Sequence, residues 1–350
     1  MLRDRIERRW VEAFCQTFSG CAIAPGDPVA ILSETQSREV NVRLAELALL
    51  ELKARPFHLV LPTPKQIAPV PIRSTGASHA IQHLGPAVQA LAASTVVIDC
   101  TVEGLLHAPE LPDILKGGAR VLMVSNEHPD ALERTVPTPE LEGQVKLAAR
   151  KAKAASVMKV TSEAGTRLQV DLADAPVAGV WGTTQRPGTV THWPAGLVVI
   201  FPKAHSVRGT LVLDAGDANL TFKRYLERPV TLQIEDDYVT RIEGEGTDAE
   251  LMRRYFAAWD DPEAYAVSHV GWGVNPRARY EALAMYDQRD TNGTELRAFA
   301  GNFLYSTGAN EFAGRHTLGH FDLPLRGCDV WLDDEQIIAA GVLQGELAGR

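Results

Sequence analysis

Thr95-Val96-Val97-Ile98-Asp99 is a short apolar run that reads as a β-strand, and its setting decides the fold. Three further runs of the same kind surround it: Val29-Ala30-Ile31-Leu32, His58-Leu59-Val60-Leu61 and Arg120-Val121-Leu122-Met123-Val124. Helical stretches alternate with them. Val40 to Lys53 carries apolar residues at helical spacing between the first two strands, and Leu141 to Ala154 does likewise and closes the domain. Strands that alternate with helices predict a parallel sheet covered by helices. Between the second and third strands, Pro62 to Gly76 is rich in proline and predicts a long surface loop. In open parallel sheets ligands gather beyond the carboxyl ends of the strands, which draws attention to the loop Cys100 to His107, directly after Asp99. A loop histidine with nothing else around it is commonly just solvated, so His107 is a candidate only in company.

From about Val157 the pattern changes to shorter runs punctuated by turns. Met158-Lys159-Val160-Thr161 and Arg167-Leu168-Gln169-Val170 flank Glu163-Ala164-Gly165, a hairpin. Gly196 to Phe201, Thr210 to Leu213, Val230 to Ile234, Tyr238 to Glu243 and Asp329 to Leu332 are further strand candidates, and Thr247 with Glu250 suggests a capped helix over Asp248 to Trp259. The expectation is an α/β N-terminal domain with a parallel sheet over residues 1–156 and an α+β, mostly β domain over 157–350.

Composition narrows the function classes. At 350 residues with 45% hydrophobic content, the chain can bury a large core. Its formal net charge of -9 offers no long-range attraction to nucleic acid or anionic lipid, so small-molecule or protein partners are expected. The N-terminus mixes charges without a following apolar core, and the longest apolar run, around Leu197 to Phe201, is too short to span a bilayer. Cys15, Cys21, Cys100 and Cys328 lack zinc or Cys-x-x-Cys spacing and read as reduced thiols of a cytoplasmic protein.

Chemistry enters near the end of the chain, at His320-Phe321-Asp322. Side chains of an extended strand alternate faces, so His320 and Asp322 point the same way, and one more histidine would complete a two-histidine, one-carboxylate metal face. That is the donor set of a non-haem Fe(II) oxygenase. His269, in Ser268-His269-Val270-Gly271-Trp272-Gly273, is the candidate for the third position. A chance His-x-Asp in an ordinary strand, and a core histidine satisfied by a backbone carbonyl, are the competing explanations. His316, four residues before His320, sits in Gly314-Arg315-His316-Thr317 and reads as a solvated loop residue.

These segments, with Gly301-Asn302-Phe303-Leu304-Tyr305-Ser306-Thr307-Gly308, Leu105-Leu106-His107-Ala108-Pro109-Glu110, His192-Trp193-Pro194 and Gly209 to Asp217, resemble the 2,5-dihydroxypyridine 5,6-dioxygenase family of bacterial nicotinate degradation. The resemblance covers most of the chain from about Asp99 onward. That family is distantly related to the M29 metallo-aminopeptidases, which hold two metals through carboxylates and histidines. At positions corresponding to three of those ligands this chain carries Leu197, His269 and Leu304, so the resemblance implies a single metal site, held by His269, His320 and Asp322 and suited to Fe(2+). It further implies His107 as acid/base on the bound substrate, Ser306 at the metal, and Arg297 and His192 as holders of the ring's oxygen or nitrogen. Ser306 read alone is equally a strand-end serine, and Arg297 and His192 are equally structural hydrogen-bonders.

The activity so implied is Fe(II)-dependent, extradiol-like opening of 2,5-dihydroxypyridine at the 5,6-bond to N-formylmaleamate, by a cytoplasmic homo-oligomer whose partners are a small aromatic N-heterocycle and O2. The alternatives are an M29-like metallohydrolase or aminopeptidase, and a catalytically silent metal- or ligand-binding homologue.

Overall fold

The structure, a computed structural model, describes residues 5–65 and 77–349. Most of the proline-rich stretch expected as a loop over Pro62 to Gly76 lies outside the described residues.

The four apolar runs of the first half form parallel strands at Pro28–Glu34, Arg55–Leu61, Val96–Asp99 and Arg120–Val124. Alternation within these strands builds two separate cores. Val29, Ile31, Val96, Ile98, Leu122 and Val124 face Trp10, Phe14, Phe18, Leu44 and Leu49 of the helices Arg8–Gly20 and Glu39–Glu51. Ala30, Leu32, Val97 and Val121 face Ile81, Leu91, Leu111 and Ile114 on the other side. A sheet covered on both faces reads as continuous apolar runs, as these strands do. A fifth parallel strand, Val190–Trp193, joins beside Arg120–Val124, so this sheet draws on residues well beyond position 156.

Two antiparallel sheets make up most of the remainder. An eight-stranded sheet includes Val157–Ser162, Arg167–Asp171, Val207–Leu213, Val230–Glu235, Tyr238–Glu243 and Cys328–Leu332. A five-stranded sheet runs in the order Arg315–Leu325, Phe303–Asn310, Val267–Gly273, Leu197–Ile200, Val177–Val180. They bury a common core: Met158, Leu168, Leu211 and Leu232 from the first, and Val270, Trp272, Phe303, Tyr305, Phe321 and Leu323 from the second. Those positions of the second sheet alternate with His269, Leu304, Ser306, His320 and Asp322. Period-two geometry therefore turns all five of the latter to the opposite face.

Two local expectations are corrected. The helix expected from Asp248 begins at Gly246 and runs to Ala258; Glu245, not Thr247, occupies its N-cap. Asp248 instead accepts a hydrogen bond from the backbone of Glu227 at 2.8 Å and pairs with Arg224 at 2.9 Å. His316 belongs to the strand Arg315–Leu325 rather than to a loop, and it is exposed.

Candidate metal centre

Strand register assembles the site. His269 lies directly opposite Ser306, and Ser306 lies directly opposite Asp322, a row across three neighbouring antiparallel strands. His320, two residues before Asp322, is on the same face and opposite Gly308. One ligand atom from each of His269, His320 and Asp322 falls within 4.8 Å of the others, and all three residues are buried. His269 Nε2 is 3.5 Å from Asp322 Oδ1, and His320 Nε2 is 3.3 Å from Oδ2. The register shifts between Val267 and His269, so Ser268 is an extra residue of the kind that re-aims neighbouring side chains.

The surrounding hydrogen bonds fix how these donors are presented. The Ser268 hydroxyl donates to the Ala309 carbonyl at 2.6 Å and lies 3.1 Å from His269 Nδ1. With its only proton committed, Ser268 accepts from Nδ1–H, which assigns the Nε2 lone pair to the cluster. Ser306 donates to Asp322 Oδ1, leaving its oxygen lone pairs 3.0 Å from that same Nε2. Two lone pairs facing each other beside a carboxylate form an arrangement that a bound cation resolves, so the residues fit a divalent metal. Burial pushes the Asp322 carboxyl upward, but the Arg297 guanidinium and the His320 imidazole outweigh it and hold the group well below the usual carboxylate range. Arg297 Nε donates to Asp322 Oδ2. Burial lowers His269 to about 4, so it is neutral and free to coordinate near pH 7. Ser268→Ala should weaken metal binding by roughly 10–100-fold, the usual cost of losing an outer hydrogen-bond partner. Competition with a chelator measures this, and wild-type affinity would mean that Ser268 does not orient the ring.

The parallel sheet contributes the opposite wall. Asp99, at the end of its strand, is fully buried and organises the following loop: Oδ1 accepts from the Thr101 backbone at 2.9 Å and the Thr101 hydroxyl at 2.6 Å, and Oδ2 accepts from the Leu105 backbone at 2.8 Å. That loop brings the His107 ring to 4.7 Å from the His320 ring, centre to centre. His107 keeps solvent access, while surrounding protein and then the imidazoles of His320 and His269 push its pKa below the ordinary range. His192 is buried on the fifth parallel strand, with Nδ1 2.6 Å from the Pro194 carbonyl. Nδ1 must therefore carry the proton, and Nε2 is left as an acceptor. Burial lowers this imidazole to about 4. Phe201 packs 5.6 Å from His269, and the partly exposed Phe312 packs against Phe201, giving the site an apolar flank.

The family model for 2,5-dihydroxypyridine 5,6-dioxygenase matches residues 9–345. The chain belongs to that family. A 2,5-dihydroxypyridine 5,6-dioxygenase of Pseudomonas putida is 38% identical over 318 residues, 89% of each sequence. The solved structure of the 2,5-dihydroxypyridine dioxygenase from Pseudomonas putida KT2440 superposes with a TM-score of 0.90 at 35% identity, covering 97% of this chain and 98% of that one. AmpT from Thermus thermophilus matches with a TM-score of 0.66 at 15% identity, over 97% of this chain and 99% of its own, and shares the aminopeptidase-like fold.

Within this dioxygenase family member, Leu197 and Leu304 lie buried in an apolar cluster with Val199, Ala278 and Ala298. They offer no donor to a second ion, and His269, His320 and Asp322 form the one group of metal-binding geometry among the described residues. The structure places the seven candidates as follows: His269, His320, Asp322 and Ser306 share one face, Arg297 is tied to Asp322, the His107 ring lies tilted beside that of His320, and His192 feels the charges of Arg297 and Asp322. Ser268 was legible only as the neighbour of His269. Phe201 carried no signal, because its role arises from contacts across elements, and Asp99 was read only as a strand end, although it bonds the loop that follows it.

Proposed function

We propose that this chain is an Fe(II)-dependent dioxygenase that opens 2,5-dihydroxypyridine between positions 5 and 6, giving N-formylmaleamate. The observation that carries the reading is the two-histidine, one-carboxylate face, the one such group among the described residues, with Leu197 and Leu304 buried in an apolar cluster that offers no donor to a second ion. Membership of the family supports the substrate class. In this reading residues 157–350 bind the metal and residues 1–156 supply the acid/base group. The enzyme is taken to be a cytoplasmic homo-oligomer acting in nicotinate degradation; no described helix is long and apolar enough to cross a membrane.

His269, His320 and Asp322 would hold the iron. When bound, Fe(II) supplies the electron transfer that lets triplet O2 react with a singlet ring. Arg297 keeps Asp322 ionised and fixes one of its oxygens, while Ser306 fixes the other. His107 takes the ring hydroxyl proton as general base and returns it after ring opening. His192, its Nδ1–H committed to Pro194, offers Nε2 to a proton on the ring's nitrogen or oxygen, and Arg297 is the second candidate for holding a ring oxygen. Phe201 limits water on the flank of His269.

Both atoms of one O2 should enter the product, with no reductant or 2-oxo acid consumed. Turnover of 2,5-dihydroxypyridine under ¹⁸O2, followed by prompt mass spectrometry, tests this. A hydrolase would draw oxygen from water and run anaerobically. Iron-replete protein that consumes no O2 with any dihydroxypyridine would end the assignment.

A further inference from the structure

Glu127 follows the fourth parallel strand and is only 1% exposed, yet it belongs to none of the groups that would touch metal or substrate. Its carboxylate accepts three consecutive backbone N–H groups from a segment more than 160 residues away. Oε1 takes Gly293 and Thr294, each at 2.8 Å, and Oε2 takes Asn292 at 3.0 Å. A short helix, Thr294–Ala298, starts there and carries Arg297. Gly293 itself cannot cap that helix with a side chain, and at φ 98° it occupies the left-handed region that suits glycine. Glu127 therefore supplies the cap from another part of the fold, with a charge that favours a helix start.

The chain of contacts continues to the metal face. Asn292, held by Glu127, accepts from Arg297 Nη1 at 3.4 Å, and Arg297 Nε donates to Asp322 Oδ2. We propose that Glu127 is a positioning residue of the metal centre: it fixes the Asn292 to Thr294 turn, the turn sets the Arg297 fork, and the fork sets how Asp322 presents its oxygens. The inference rests on the one-metal reading above. Other partly buried pairs also join this segment to the parallel-sheet half, among them Arg134 with Glu295 at 2.7 Å and Arg38 with Asp290. What sets Glu127 apart is that it grips the backbone at the turn from which Arg297 projects. Glutamine at 127 keeps one acceptor oxygen but turns an NH2 donor against backbone N–H donors, so the turn must shift.

The test uses full-length wild type, Glu127→Gln, Arg297→Lys and the double variant, titrated anaerobically with Co(II) as a spectroscopic probe. Folded Glu127→Gln should bind Co(II) roughly 10–100-fold more weakly with altered d–d bands, in line with outer hydrogen-bond partners of other metal sites. The double variant should lose little beyond Arg297→Lys, because both act along one path. Wild-type affinity and bands in folded Glu127→Gln, or fully additive losses, would overturn the proposal. Should Glu127→Gln fail to fold, Glu127→Asp keeps the charge on a shorter arm and should show the altered bands at intermediate affinity; wild-type bands there overturn it equally. Wild type that binds no more Co(II) than His269→Ala would remove the metal reading itself, a result distinct from loss of the positioning role alone.

Discussion

His269→Ala, His320→Ala and Asp322→Ala are each expected to purify folded, without iron and without ring-opening activity. The three donors come from two strands of one sheet, and no fourth His, Cys, Asp or Glu joins them among the described residues. Removing one leaves two ligands, too few to retain a divalent ion in a site that must also keep positions open. The three substitutions differ in their side effects. His269→Ala deprives Ser268 of a partner near a bulge, a small loss. Asp322→Ala strips Arg297 of its carboxylate in a largely buried setting, where breaking an ion pair costs up to about 3–5 kcal/mol. Asp322→Asn, which preserves volume and one acceptor oxygen, is the better probe at that position. Elemental analysis of the purified variants, alongside circular dichroism, decides the matter. Full iron retention in any two of them would remove the triad.

The sequence exposed those candidate donors because a strand's alternation is a local property. In Arg315–Leu325, Phe321 and Leu323 go to the core, so His320 and Asp322 must turn the other way. The four parallel strands were read just as locally, three of them buried and Arg55–Leu61 at the sheet edge, because their apolar runs need no partner to be recognised. Legibility ended where structure depends on distant contacts. Val190–Trp193, with only two apolar residues and a histidine, has no strand pattern of its own and is a strand because Arg120–Val124 offers it an edge. The Val267–Gly273 strand is diluted by glycines that serve packing. A Cβ at Gly273 would stand 2.2 Å from the Phe299 carbonyl oxygen, so only glycine lets the segment after Arg297 cross there. The pairing of Arg297 with Asp322 joins residues of different elements, and no spacing rule signals it. The helix Arg8–Gly20, despite burying Trp10, Phe14 and Phe18 on one face, begins among charges that obscured its periodicity.

His107→Ala should keep its iron and still bind substrate, but turn over more slowly by roughly 10²–10⁴-fold, the usual contribution of a general acid–base group. The geometry separates this residue from the three clustered donors. Its ring centre is 4.7 Å from that of His320, yet its nitrogens do not join the cluster formed by His269, His320 and Asp322. It also arrives from the opposite wall, on a loop whose shape depends on the buried Asp99 rather than on the metal-bearing sheet. Truncating it therefore leaves the metal face untouched and removes only the group aimed across the cleft. Solvent access fits this role, because a base that takes a proton from the ring and later returns it must equilibrate with water between turnovers. Three measurements on one preparation distinguish the outcomes: iron content, anaerobic substrate affinity and kcat. Normal iron and affinity with a depressed kcat assign His107 to proton transfer. Unchanged kcat at neutral pH would make it a bystander, and lost iron would make it a ligand.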